Sequence, residues 1–147
     1  MNTTSTFDKA AHRVPGPGAA LVADSRLRGL LKLDAATCAL MGVLLLVAAG
    51  WLAGWTGLDS FVLTVAGGLL LPVAAFMAWT AGRAAVPGWA LAAIVLGNLG
   101  WVAASLLLPA AGLLRPNGLG WAFLLGQAAV VLVLAALEAR AARFSRR

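Results

Sequence analysis

From about Leu30 onward the chain reads as four long apolar runs, separated by short breaks rich in polar residues, Gly and Pro. The runs cover about residues 30–55, 61–81, 89–108 and 119–137. At a helical rise of about 1.5 Å per residue each can cross a hydrocarbon core of about 30 Å, the fourth only just. A segment in lipid must satisfy its own backbone hydrogen bonds, so runs of this length predict helices. Barrel strands would be shorter and would alternate polar with apolar positions. The connections Thr56–Ser60, Gly82–Gly88 and Pro109–Gly118 are short, which predicts that consecutive helices are antiparallel neighbours. The expected fold class is an all-α membrane protein, a four-transmembrane-helix antiparallel bundle occupying residues 25–139 as one domain.

The flanks differ in kind. Residues 1–24 are polar and contain Pro15-Gly16-Pro17-Gly18, which predicts a disordered cytoplasmic leader. They hold no apolar stretch of the signal-peptide kind and no Gly at position 2 for myristoylation. Asp24-Ser25 supplies helix-start chemistry. At the other end, Glu138 with Arg140, Arg143, Arg146 and Arg147 closes the fourth helix, and residues 140–147 read as a basic cytoplasmic tail suited to the helix dipole and to anionic lipids.

Composition supports the same class. Apolar residues make up 62% of the 147 and charged residues only 11%, against about 25% in a soluble domain. The net charge of +6 raises the question of nucleic acid. However, ten of the eleven basic residues lie in the N-terminal flank, the middle loop (Arg83) and the C-terminal tail. Arg115 alone falls in the other loops. That asymmetry predicts orientation, with both termini and the middle loop in the cytoplasm, and not a nucleic-acid partner. Five of the six Trp agree: Trp51, Trp55 and Trp121 mark one boundary, Trp79 and Trp89 the other, where an indole is favoured. Nine Arg against two Lys, with abundant Ala, Gly and Leu, suggest a bacterial source and hence a multi-pass protein of the bacterial cytoplasmic (inner) membrane.

Candidate chemistry is sparse. The single His, His12, lies in the leader, there is no Tyr, and the single Cys, Cys38, falls inside the first run. No axial His is available for haem, no ligand cluster for zinc or di-iron, and no Ser–His or Cys–His pairing within the spans. No catalytic residue, metal or cofactor is therefore expected, and the lipid bilayer is the first partner.

A few polar residues inside the runs remain. Asp34 lies within the first, about one turn below the cytoplasmic edge. It reads either as a proton- or cation-coupled carboxylate or as a hydrated or interhelically bonded one, with Lys32, Arg83 or Arg140 within reach. Asn98 and Gln127 both lie near mid-depth on neighbouring helices, where an interhelical amide–amide bond is plausible. Asn98, Trp101 and Ser105 share one helix face, either a structural seam or one wall of a pocket for a headgroup, quinone or small solute. Pro72, four residues after Gly68, is a candidate hinge. Gly50-x-x-x-Gly54, Ala93/Gly97 and Ala122/Gly126 are small-residue pairs that let helices approach, within the chain or in a homo-oligomer or larger complex.

The stretches Arg28-Gly29-Leu30-Leu31-Lys32-Leu33-Asp34-Ala35, Gly97 to Ser105 and Ala122 to Ala128 together resemble small four-helix bacterial integral membrane proteins of uncharacterised function, over about residues 26–140. That resemblance implies the fold and no activity. The expected function is a non-enzymatic accessory or assembly subunit acting through lateral helix contacts. The alternatives are a small proton- or cation-coupled transporter using Asp34, and a membrane module binding a lipid- or quinone-type ligand.

Overall fold

The computed structural model describes residues 21–22 and 25–144; the expected disordered leader, Leu21 and Val22 apart, lies outside the described residues, as does the end of the tail from Ser145. Five helices follow one another: α1 Ser25–Val47, α2 Ala49–Thr56, α3 Ser60–Ala81, α4 Gly88–Ala110 and α5 Gly118–Phe144. Two-residue strands β1 (Leu21–Val22) and β2 (Ala85–Val86) pair antiparallel, tying the N-terminal flank to the loop between α3 and α4. Four helices are long and apolar enough to cross a membrane, and the protein is an all-α, multi-pass membrane protein.

The first apolar run is divided into α1 and α2. The break is local, at Ala48 (φ −110°, ψ 16°). Ladder bonds Ala48 N–H to Leu44 O and Leu52 N–H to Ala48 O, both 2.9 Å, persist on either side. By contrast, α3 runs unbroken through Pro72, which is exposed on the outer face of the helix. Gly57 ends α2 in the left-handed region (φ 71°), and Asp59 caps α3 by accepting from the Phe61 and Val62 N–H groups at 2.7 and 3.4 Å. Asn117 has a double role. Its Oδ1 accepts from Gly120 N–H at 2.9 Å in the first turn of α5, while its Nδ2 donates to Trp55 O at 2.9 Å. The helices also exceed their expected limits: α1 begins at Ser25, and α5 continues to Phe144, so the first residues of the expected tail are helical.

Short loops do not make every consecutive pair a packed pair. The most extensive contact is between α1 and α3, then between α4 and α5; α1 meets α5 less closely, and α3 barely touches α4. The first pair is close because two glycines face each other. A Cβ on Gly67 would stand 2.8 Å from the Gly42 carbonyl oxygen, nearer than side chains come. The expected small-residue pairs have a different position: a Cβ on Gly50, Gly54, Gly97 or Gly126 would meet nothing within 4 Å. The core between the helices holds Leu27, Leu31, Leu45 and Met77, all nearly or wholly buried. Most of each span faces outward, as Leu40, Val47 and Leu96 do.

At the end carrying β1 and β2, Arg28 donates from one guanidinium nitrogen to the Arg83 and Ala84 carbonyls, each at 2.8 Å. The Arg83 guanidinium in turn lies 4.0 Å over the Trp79 ring. Trp79 and Trp89 both pack against Phe76 at this end, and Trp51 against Trp55 at the other.

Candidate functional site

The buried stripe of α1 runs Leu27, Leu31, Asp34, Ala35, Cys38, Gly42 and Leu45, at steps of three and four residues. Asp34 is therefore on the inward face, and it is 0% exposed. The carboxylate is bonded between helices, one of the forms expected for it. Asn98 Nδ2, nine residues past Trp89 and so about 13 Å along α4, donates to Asp34 Oδ2 at 2.7 Å. The partners of Asp34 are thus an amide and a thiol, with Cys38 Sγ 3.8 Å from Oδ1. None of Lys32, Arg83 and Arg140 is among its partners: Lys32 and Arg140 are exposed and Arg83 lies on Trp79.

The expected Asn98–Gln127 bond does not form. Trp101 Nε1 donates to Gln127 Oε1 at 3.3 Å, and Gln127 Nε2 donates to Ser105 Oγ at 3.3 Å. Ser105 Oγ donates to Trp101 O at 2.8 Å and closes a small ring. The α4–α5 register explains the difference. It sets Gln127 against Trp101 and Ser105, one turn beyond the level of Asn98, which reaches across the bundle to α1. The Asn98–Trp101–Ser105 stripe is accordingly divided between two polar clusters.

Sequence reasoning missed Glu138. Its neighbours Arg140 and Arg143 made it read as part of a solvated helix end, yet it is 0% exposed. On α5 the buried positions Leu124, Ala128, Leu134, Ala135 and Ala142 form a stripe, and Glu138 belongs to it. A signal was present: Glu138 follows Gln127 by eleven residues, three helical turns, so both occupy nearly one face.

The Glu138 carboxyl lies within electrostatic reach of Asp34. Both of its oxygens are buried with no hydrogen-bond donor to meet them. Two ionised carboxylates cannot bond to one another because neither carries a donor; a single proton between them restores the bond. Unit charges about 4 Å apart repel by about 4 kcal/mol at an effective dielectric of about 20, and burial adds the loss of hydration. Among the described residues no group of three or more side chains comes together to hold a metal ion.

Two lateral cavities flank this core. One, of about 460 Å³, lies between α1 and α5, lined by Thr37, Cys38, Leu44, Trp101, Gln127 and Val130 among others. The second, of about 360 Å³, fills the gap where α3 and α4 barely meet, with Leu45, Val62, Ala104 and Leu108 in its wall. Trp101, Phe123 and Gln127 line both and so form the partition between them.

Fold and centre together define a multi-pass, all-α membrane protein with two carboxyl groups buried within electrostatic reach of each other inside its helical bundle. Compared with protein-family models, curated proteins and solved structures, the chain matches none of them, so the functional argument rests on the geometry.

Proposed function

We propose that the protein is a small, non-enzymatic proton- or cation-coupled transporter of the bacterial inner membrane, with both termini in the cytoplasm. The observation that carries this reading is the complete burial of Asp34 and Glu138 within electrostatic reach of each other, with no basic side chain among the described residues paired to either. A purely structural core gains nothing from this arrangement. Apolar residues of similar volume would pack there without the desolvation and repulsion that two carboxylates bring. Ionisable groups inside membrane spans mark ion pathways and proton relays for that reason. Asn98 orients one carboxylate by its 2.7 Å bond, which leaves the other free to exchange its counter-charge. Infrared spectroscopy of the protein in lipid tests the reading directly. A protonated-carboxyl stretching band should be present near neutral pH in the wild type and absent at that pH in Asp34→Asn combined with Glu138→Gln. No such band in the wild type near neutral pH would overturn it.

The open small-residue faces favour a second reading, an accessory subunit acting through lateral contacts. Gly50, Gly54 and Gly97 have no neighbour that a Cβ would touch, so their close-packing capacity is unused within the chain. Native mass spectrometry from mild detergent should then show an assembly that Gly50→Leu with Gly54→Leu dissolves. A wild-type protein that is monomeric throughout sinks this second reading.

A further inference from the structure

The cavity between α1 and α5 ends one side chain from Asp34, the two carboxyls themselves standing outside its wall. Cys38 lines it, and the Cys38 thiol is the group lying 3.8 Å from Asp34 Oδ1. From Cys38 the groove follows α1 for six residues to Leu44, a length of about 9 Å, along a wall that is apolar apart from Thr37, Cys38, Trp101 and Gln127. It opens sideways, where the lipid chains of a membrane would lie.

We propose that this groove and the Asp34–Glu138 pair together form the binding site of a small organic ammonium with an apolar tail, which enters between α1 and α5 and displaces the shared proton. The inference rests on the coupled-transport reading above and adds its substrate class and route.

Charge selects the head of the ligand. The groups that face the pair are Cys38 from α1 and Asn98 from α4; α3 and α4 contain no titratable residue between their first and last positions. The basic side chains bond elsewhere or are exposed. Arg28 holds the Arg83 and Ala84 carbonyls through one terminal nitrogen, its Nε being buried without a partner, while Lys32, Arg140 and Arg143 are exposed. Two carboxylates without a base exclude an anion and give a neutral solute no advantage. An ammonium supplies three donors, and the two Glu138 oxygens lack one.

The groove selects the tail. An inorganic cation would have no use for an apolar channel of about 460 Å³, whereas an alkyl or aryl body fills it and loses its contact with water.

The exchange balances. The pair with one proton carries a charge of about −1, and the ammonium about +1. On binding, the carboxyl O–H bond breaks, the proton passes to bulk water, and the ammonium N–H groups bond to the two carboxylates. The occupied site, with two carboxylates and one ammonium, again has a charge of about −1. No redox partner is needed.

The test uses full-length protein in lipid nanodiscs with octylammonium as probe, and 1-octanol and sodium chloride as comparisons, empty nanodiscs serving as blank. In weak buffer, octylammonium should release about one proton per amine bound, and neither comparison should release any. Glu138→Gln should lose the release. Gly126→Phe fills the groove from a position where a Cβ meets nothing within 4 Å, so the bundle can accept it. It should weaken amine binding by about tenfold or more while the titrating carboxyl band persists. Release by sodium chloride alone, equal competition by 1-octanol, or unchanged amine binding in Gly126→Phe overturns the inference. In each of these cases the infrared band still stands for the proton-coupled reading; loss of the band removes both.

Discussion

At the scale of single residues, a carboxylate facing a second carboxylate in a dry interior weakens a fold unless a proton or a cation is present, and the sign of that effect distinguishes function from structure. If Asp34 and Glu138 serve exchange, the isosteric change Glu138→Gln makes permanent the donor that the shared proton supplies, and prevents the second buried charge that appears when that proton leaves. The unfolding temperature in detergent at alkaline pH, where the wild-type pair has lost its proton, should rise by about 2–4 °C for each kcal/mol gained. Asn98→Leu should act in the opposite direction, because Asp34 then loses its 2.7 Å donor, a loss of about 1–3 kcal/mol. Thermal melts of both variants check this, and equal destabilisation would mean a structural polar network. The inward polar residues Asp34, Asn98, Gln127, Trp101 and Ser105 were readable from the sequence, since polar groups inside apolar runs stand out. Their partners were not. Counting depth from helix ends matched Asn98 to Gln127, but the register of α4 on α5 is fixed by packing and shifts that match by a turn. Glu138 was hidden because sequence gives an acid near two arginines the same appearance whether the helix face is wet or buried.

At the scale of elements, the four spans were legible because bilayer thickness sets their length, and length survives any detail of packing. Which face of each span points inward was not legible. Lipid tails are as apolar as Leu, so a membrane helix carries no hydrophobic contrast between its two sides, and close packing between helices is decided by shape. The glycines show this. Gly50-x-x-x-Gly54 has the spacing of a packing motif and faces open space, whereas Gly42 has Leu46 at i+4 and forms the close approach of α1 to α3, against Gly67. Pro72, four residues after Gly68, was the candidate hinge. In the bundle Gly67 is the contact point of α3 on α1, and α3 passes through Pro72 without interruption. The interruption at Ala48 had no Gly or Pro to announce it. Two seams, α1–α5 and α3–α4, are loosely packed, and the cavities occupy those two seams.

At the scale of the whole molecule, orientation decides which compartment the carboxyl pair serves. Arg28 and Arg83 are joined at the end that carries β1, β2 and the start of α1, and α5 ends there with Arg140 and Arg143. Arg115 belongs to the loop at the opposite end. In the orientation proposed above, with Lys and Arg on the cytoplasmic side, the Arg28–Arg83 end lies inside. Glu138 lies only six residues from the end of α5, about 9 Å along the helix, so the pair is nearer that face and its proton has a shorter path to the cytoplasm. Site-directed labelling in a Cys38→Ala background tests the arrangement in intact cells. Leu113→Cys, at a position 72% exposed in the α4–α5 loop, should react with a membrane-impermeant maleimide added outside. Ala84→Cys, in the α3–α4 loop, should react only after the membrane is opened. The reverse pattern would invert the protein, bring the carboxyl pair to the outer half of the bilayer, and turn the direction in which proton and amine exchange must run.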